Sequence, residues 1–228
     1  KDILTKELRL DKVNLNILIV NDLKPYKMRK VGILNGAHTA MVPVAYLYGI
    51  DTVREAMENS DVRTFIEKAI DEEIIPALDM DKKELVEFKE AVIKRFQNPY
   101  VKHMLMDISL NSMSKYKSRI LPQVLETYRR TGKLPKRLLF SLAALIRFYK
   151  GVRENGNVIN LRDDKHHLEM YQELWKTNNY RKIVEHVLGL EKHWDINLNT
   201  IDGMTDLVIH YVENIDKYGV KKALEEVK

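Results

Sequence analysis

Cysteine is absent from the sequence, which excludes disulfides, thiolate nucleophiles and cysteine-based zinc sites. Glycine and proline are scarce, nine and six among 228 residues. That is about half their usual share, and the shortage favours long helices over turn-rich β structure. No apolar run approaches the roughly 18 residues of a membrane span, and the charged opening does not read as a secretory leader. No GxGxxG follows a strand-like run, and no Walker loop, GxSxG elbow or HExxH pair occurs. A dominant charge of one sign is missing too, since 38 basic residues stand among 33 acidic ones for a net charge of +5. Without a long basic block, the charge reads as a solvated mixed surface. A basic helical nucleic-acid-binding module is the rival of a different class.

What is present is ordinary for a folded protein, with 45% hydrophobic and 31% charged residues. One strand is expected, Val13–Val20 (VNLNILIV), ended by Asn21-Asp22; being alone, it needs partners elsewhere. The rest reads as helices: Tyr26–Leu47, kinked by Pro43 and stopped by Gly49; Thr52–Met57; a helix capped by Asp61 and running to Ile75; and Asp81–Phe96. Tyr100–Ser114, Lys117–Thr131, Arg137–Lys150, Asp164–Thr177, Tyr180–Leu188 and Gly203–Lys217 complete the set. Arg137–Lys150 is the most apolar and is expected at the centre of the core. The reading is mainly α, one helical domain over 1–228 with a strand-bearing arm at 1–24. The chain opens at Lys1 rather than Met, so a longer parent protein is expected, with a cytoplasmic location as the default.

Two clusters of chemistry-bearing residues are discounted. His166 and His167 point about 100° apart on a helix, so with Glu169 they suit a solvated face better than a metal. Asp71-Glu72-Glu73 is likewise expected in solvent. The informative segment is KVGILNGAHTA, Lys30–Ala40, where Lys30, Asn35 and His38 interrupt an apolar helix. At 100° per residue they fall at about 0°, 140° and 80°, on one broad side. Gly32 and Gly36 inside a helix cost on the order of 1 kcal/mol each against Ala, which suggests close approach of something to the backbone. A buried lysine is pushed toward a neutral amine and suits proton transfer, while Asn and His can hold a hydroxyl or carbonyl. On spacing alone, the alternative is that Lys30 reaches solvent and the other two satisfy buried backbone.

The stretch Asp22–Met57 (DLKPYKMRKVGILNGAHTAMVPVAYLYGIDTVREAM) resembles the polyol-specific long-chain dehydrogenases, the family of mannitol dehydrogenases and hexuronate reductases. A D-x-x-P-(F/Y) turn before K-x-x-x-x-N-x-x-H is supplied by Asp22, Pro25, Tyr26, Lys30, Asn35 and His38. NPY at 98–100, SLNSMSKYKSRILPQ at 109–123 and LPKRLLFSLAALIRFYKG at 134–151 extend the likeness over most of the chain. The resemblance implies a multi-helical C-terminal domain like those of mannitol and 6-phosphogluconate dehydrogenases. It implies hydride exchange between NAD and a sugar alcohol or sugar acid, without metal, with NAD held mainly by an N-terminal Rossmann domain absent from this chain. Lys30 would exchange the proton, Asn35 and His38 would hold the reacting oxygen, and Lys115 would reach the substrate. Arg119, four residues on, is inferred to share a substrate carboxylate with Lys115; a surface ion pair is the alternative. In the polyol members an Arg precedes that lysine by eight residues, where this sequence has Asp107. The expectation is therefore a hexuronate reductase, with a fructuronate reductase or mannitol-type enzyme as alternatives. Its partners would be a small sugar acid and its own Rossmann domain, with neither nucleic acid nor membrane.

Overall fold

The computed structural model describes residues 2–9, 12 and 17–228. Among them the chain is helical almost throughout, with two isolated antiparallel bridges, Thr52 to Met104 and Val152 to Val158. No helix among the described residues is long and apolar enough to cross a membrane. The elements begin with α1 (Asp2–Glu7) and α2 (Lys24–Arg29), then a π-helical stretch, Lys30–Gly36, that passes without a break into α3 (Ala37–Tyr48). Next come α4 (Val53–Glu58) and α5 (Ser60–Lys68), continued by a second π stretch, Ala69–Ile74, and then α6 (Lys82–Phe96). The middle holds α7 (Leu105–Ile108), α8 (Ser112–Arg119), α9 (Leu121–Thr131) and α10 (Lys136–Phe148). The last elements are α11 (Lys165–Lys176), α12 (Tyr180–Leu188), α13 (Glu191–Trp194), α14 (Met204–Tyr218) and α15 (Val220–Ala223).

The most apolar helix takes the central place expected of it. Every residue of α10 from Leu138 to Phe148 is buried, and the helix packs chiefly against α14 and α3. Phe140 stands edge-on between Phe65 of α5 and Tyr211 of α14, at 5.7 and 5.3 Å, the edge-to-face geometry that aromatic quadrupoles prefer. α3 is buried nearly all round, so the residues that follow the first π stretch are fixed in the core. Pro43 lies inside α3, and Gly49 ends it at φ +102°, a left-handed conformation that costs glycine little.

Several expected boundaries move, each for a local reason. Of the expected strand, residues 13–16 lie outside the described residues. Ile17–Val20 are irregular chain, because an extended segment with no neighbour has no ladder to join. The helix capped in expectation by Asp61 is capped by Asn59, whose side chain accepts from Asp61 and Val62 N–H, while the Asp61 carboxylate takes Tyr48 Oη at 2.8 Å. A continuous helix over 100–114 does not form. The backbone there pairs across the fold instead, Val53 N–H to His103 O at 3.0 Å and Leu105 N–H to Asp51 O at 2.9 Å, so those groups cannot close helical turns. Lys117–Thr131 is broken at Ile120, because Pro122 lacks an N–H and fits only a first turn.

Glu73 corrects the expectation of a solvated acidic run. Its side chain is only 8% exposed. It accepts Arg137 N–H at 3.0 Å and Leu138 N–H at 2.9 Å, two of the orphan donors at the start of α10. Burial nevertheless raises its pKa. Glu73→Ala would strand those donors inside the protein and is expected to lower unfolding stability by about 2–3 kcal/mol, with Glu73→Gln losing less. Denaturant titration of the purified chain reads this directly; a loss under about 0.5 kcal/mol would mean that α10 does not depend on the carboxylate.

Candidate active site

The candidate residues lie where the helix changes its winding. Lys30–Gly36 is closed by i→i+5 rather than i→i+4 hydrogen bonds, a form that is rare and frequent at functional sites. The wider winding reduces the angle between Lys30 and Asn35 from the 140° that α geometry gives. The glycines inside it face protein, not an open cavity. A Cβ on Gly32 would stand 3.3 Å from Gln123 Nε2 and from Ile74 Cγ2, and one on Gly36 would stand 3.4 Å from the Arg119 carbonyl. Close approach is thus made by α8, α9 and the second π stretch. Lys30 is exposed, so burial of its ammonium, expected from the apolar pattern, is not supplied by this domain.

His38 sits deeper. Its ring stacks on Phe96 of α6 at 4.1 Å and meets His103 edge-on at 5.3 Å. These rings line a cleft of about 390 Å³ together with Leu34, Arg95, Asn98 and Val101. His38 Nε2 is buried without a hydrogen-bond partner, and an unsatisfied buried nitrogen beside a cleft is a place for a ligand atom. Burial first, then the positive fields of His103 and Arg119, depress the His38 pKa to about 3. The imidazole is therefore neutral at ordinary pH and can orient an oxygen but does not carry charge to it.

α8 brings the second group. Arg119 donates to Thr39 Oγ1 at 3.3 Å, and Thr39 in turn donates to the Asn35 carbonyl at 2.9 Å. Arg119 is thereby tied to the helix that carries Asn35 and His38. Lys115, one turn back on the same face, donates to Ile108 O at 2.7 Å. Burial, and then the charge of Arg119, lower its pKa. Lys117 looks elsewhere and pairs with Asp195 at 2.8 Å. Neither Lys115 nor Arg119 has an ion-pair partner among the described residues, and both are half-buried. The carboxylate whose charge acts on Lys115 is Asp163, through space and not through an ion pair.

Arg119 is therefore linked through Thr39 to the helix of Asn35 and His38, with Lys115 one turn back on α8, while Lys30 lies at the exposed start of the π stretch. Thr39, Phe96, Asn98 and His103 join them without having been singled out in the sequence. Thr39 was legible as i+4 from Asn35, whereas His103 arrives by the bridge between Thr52 and Met104. His167 is not a solvated face residue: it leans on the buried Asp163 at 3.4 Å and meets His193 edge-on at 4.8 Å. No group of three His, Cys, Asp or Glu among the described residues is placed to hold a metal. Nor does a glycine-rich turn from strand to helix occur among them, so this chain's residues do not fit the cradle that a dinucleotide pyrophosphate needs.

Residues 22–216 match the profile of the mannitol dehydrogenase C-terminal domain. The chain is 51% identical over 229 residues to an altronate oxidoreductase of Enterobacter sp. (strain 638), covering 98% of this chain and 47% of that protein. It is 50% identical over 226 residues to the altronate oxidoreductase of Escherichia coli (strain K12), covering 97% and 47%. It thus spans about half the length of the curated relatives it matches. Mannitol 2-dehydrogenase of Pseudomonas fluorescens, solved as a ternary complex with NAD and D-mannitol, superposes with a TM-score of 0.82 at 23% identity, over 91% of this chain and 41% of that one. A substrate-free D-sorbitol dehydrogenase gives 0.78 at 20%, over 90% and 41%. At those identities the likeness shows the fold.

A neutral His38 has a consequence for stability as well as chemistry. With its folded pKa near 3 and an unfolded value near 6.5, the unfolded chain binds the extra proton between those limits. The stability that His38 contributes is full above pH 6.5 and declines as pH falls toward 3. The matching observation is an imidazole NMR signal of His38 that does not shift between pH 8 and 5; an inflection near pH 6 would mean that the ring is solvated.

Proposed function

The chain belongs to the mannitol dehydrogenase C-terminal domain family, and from that premise we propose that it is the substrate-holding half of an NAD-dependent hexuronate reductase interconverting tagaturonate and altronate. The observation that carries the choice of an acid over a neutral polyol is the pair Lys115 and Arg119, which form no ion pair among the described residues, with Arg119 tied through Thr39 to the helix of Asn35 and His38. The altronate oxidoreductase relatives point to the same substrate class. NAD, when bound in the complete enzyme, would supply or accept the hydride, and its binding would fall to residues outside this chain.

The residues of this chain handle the proton and the alignment. In the reducing direction the Lys30 ammonium gives its proton to the oxygen of the carbonyl as that oxygen becomes a hydroxyl; in the oxidising direction the neutral amine takes it back. The rest of the enzyme, closing over the exposed face, removes water from Lys30 and from the reacting oxygen. Asn35 and the neutral His38 hold the reacting oxygen and its neighbour in line. The cations of α8 fix the far end of the substrate by its carboxylate, which is how a sugar acid is separated from a neutral sugar.

Two measurements on the full-length enzyme test the reading. Lys30→Met retains the stem and removes the proton carrier, so kcat is expected to fall by at least ~10²–10⁴-fold with NADH affinity kept. Near-normal turnover would remove Lys30 from the chemistry. Arg119→Ala is expected to lower kcat/KM for tagaturonate by about tenfold or more, since a hydrogen bond to a charged group contributes ~1.5–3 kcal/mol. Fructose, a neutral ketose, loses much less. Equal losses on both substrates would assign Arg119 to the fold and favour a polyol enzyme.

A further inference from the structure

A third cation stands at the far end of the row formed by Arg119 and Lys115. Arg162, in the irregular chain before α11, donates through Nη2 to the Met106 carbonyl, and Lys115 Nζ donates to the Ile108 carbonyl at 2.7 Å. The two carbonyls lie two residues apart in the single turn of α7, so both side chains converge on that end of the helix. The main chain locks the arrangement, because Asn111 N–H donates to Arg162 O at 3.0 Å and Asn111 itself adopts φ +55°. Arg162, 47 positions away in sequence, thus binds the same turn as Lys115, with 42% of its side-chain surface open. Its one acidic partner is Asp107, at 3.2 Å, and that carboxylate is exposed, with 68% of its side-chain surface open. The buried Asp163 is engaged by Met113 N–H, Tyr149 Oη and His167, and reaches Lys115 only through space, as a favourable charge.

We propose that Arg162 is a specificity residue that closes with Lys115 on the substrate carboxylate, and that Asp107 holds the guanidinium in place until that carboxylate arrives. The inference rests on the reading of the site as a hexuronate site and extends it to a residue that nothing in α8 announces. The dimensions suit it. Lys115 lies one helical turn, about 5.4 Å, from Arg119, and Arg119 is tied through Thr39 to Asn35, so a six-carbon acid with its reacting carbon at Asn35 and His38 extends along the row. The planar guanidinium suits a two-pronged contact with a carboxylate, and Lys115 adds a point charge beside it. An exposed Arg–Asp pair contributes little by itself, so exchanging Asp107 for a substrate carboxylate sacrifices little.

The experiment uses the full-length enzyme with tagaturonate and fructose as paired substrates. Arg162→Ala is expected to lower kcat/KM for tagaturonate about tenfold or more, chiefly through KM, and to change the fructose value by less than about twofold. Arg162→Lys restores part of the loss. Asp107→Asn removes the competing carboxylate and is expected to lower KM for tagaturonate while leaving fructose unaffected. If Arg162→Ala depresses both substrates alike, the residue only secures the end of α7 and the proposal fails. If Arg119→Ala separates the two substrates and Arg162→Ala does not, the hexuronate reading stands and Arg162 is excluded from it. If neither variant separates them, the hexuronate reading itself fails.

Discussion

Everything about the site depends on how closely the two π-helical stretches approach each other. Ile74, the last residue of one, packs against Gly32 and Gly36 of the other, and the Arg119 carbonyl abuts Gly36. Each glycine lowers helix propensity by on the order of 1 kcal/mol, and a π turn is an uncommon winding. Those costs are offset by burial of the α3 face that follows, where Ala37, Ala40, Met41, Val44 and Ala45 are all within the core. The core therefore fixes the rotation of the helix, and the π stretch decides which way Lys30 and Asn35 face. A side chain at Gly32 would press on Gln123 of α9 and on Ile74, while Gly36 lies in contact with the Arg119 carbonyl of α8.

Electrostatics divides the site into a neutral half and a positive half. His38 is kept uncharged by burial against Phe96 and by the fields of His103 and Arg119. Lys115 and Arg119 remain cations that repel each other one turn apart. A protein selected for stability alone would place an acid between them, as it does with Asp195 for Lys117 and Glu126 for Arg129 and Arg130. Like charges left together destabilise the free domain, and the Asp163 carboxylate, acting on Lys115 through space, offsets part of that. Neighbouring positions on α8 are thus treated in opposite ways: the one turned away is neutralised, and the two turned inward are not.

Much of the architecture was legible along the chain. The near absence of glycine and proline announced helices, the apolar run Leu138–Phe148 announced the central one, and Asp81 and Asp164 marked helix starts where the structure has them. Those features are local: a cap or an apolar face acts within a turn or two of itself. The misplaced boundaries were set at a distance. The segment around Met104 is withdrawn from helix by backbone groups of Asp51 and Val53, some fifty positions earlier, and Glu73 is drawn inward by the start of a helix 64 positions later. Propensity carries no information about partners so remote.

The same division applies to the site. The sequence by itself determined which side chains could do chemistry, because Lys30, Asn35 and His38 stand out as polar groups on an apolar helix, and Lys115 and Arg119 share a face by their spacing of four. Only the tertiary structure decided their states and neighbours. It left Lys30 exposed and made His38 neutral. It joined Arg119 to the Asn35 carbonyl through Thr39, and it set Arg162 and Lys115 on carbonyls of the same short helix. The physical reason is that charge state and hydrogen-bond partnership depend on what packs around a group. In this fold the packing comes from α6, α8 and the chain before α11, none of which is adjacent in sequence to the helix they complete.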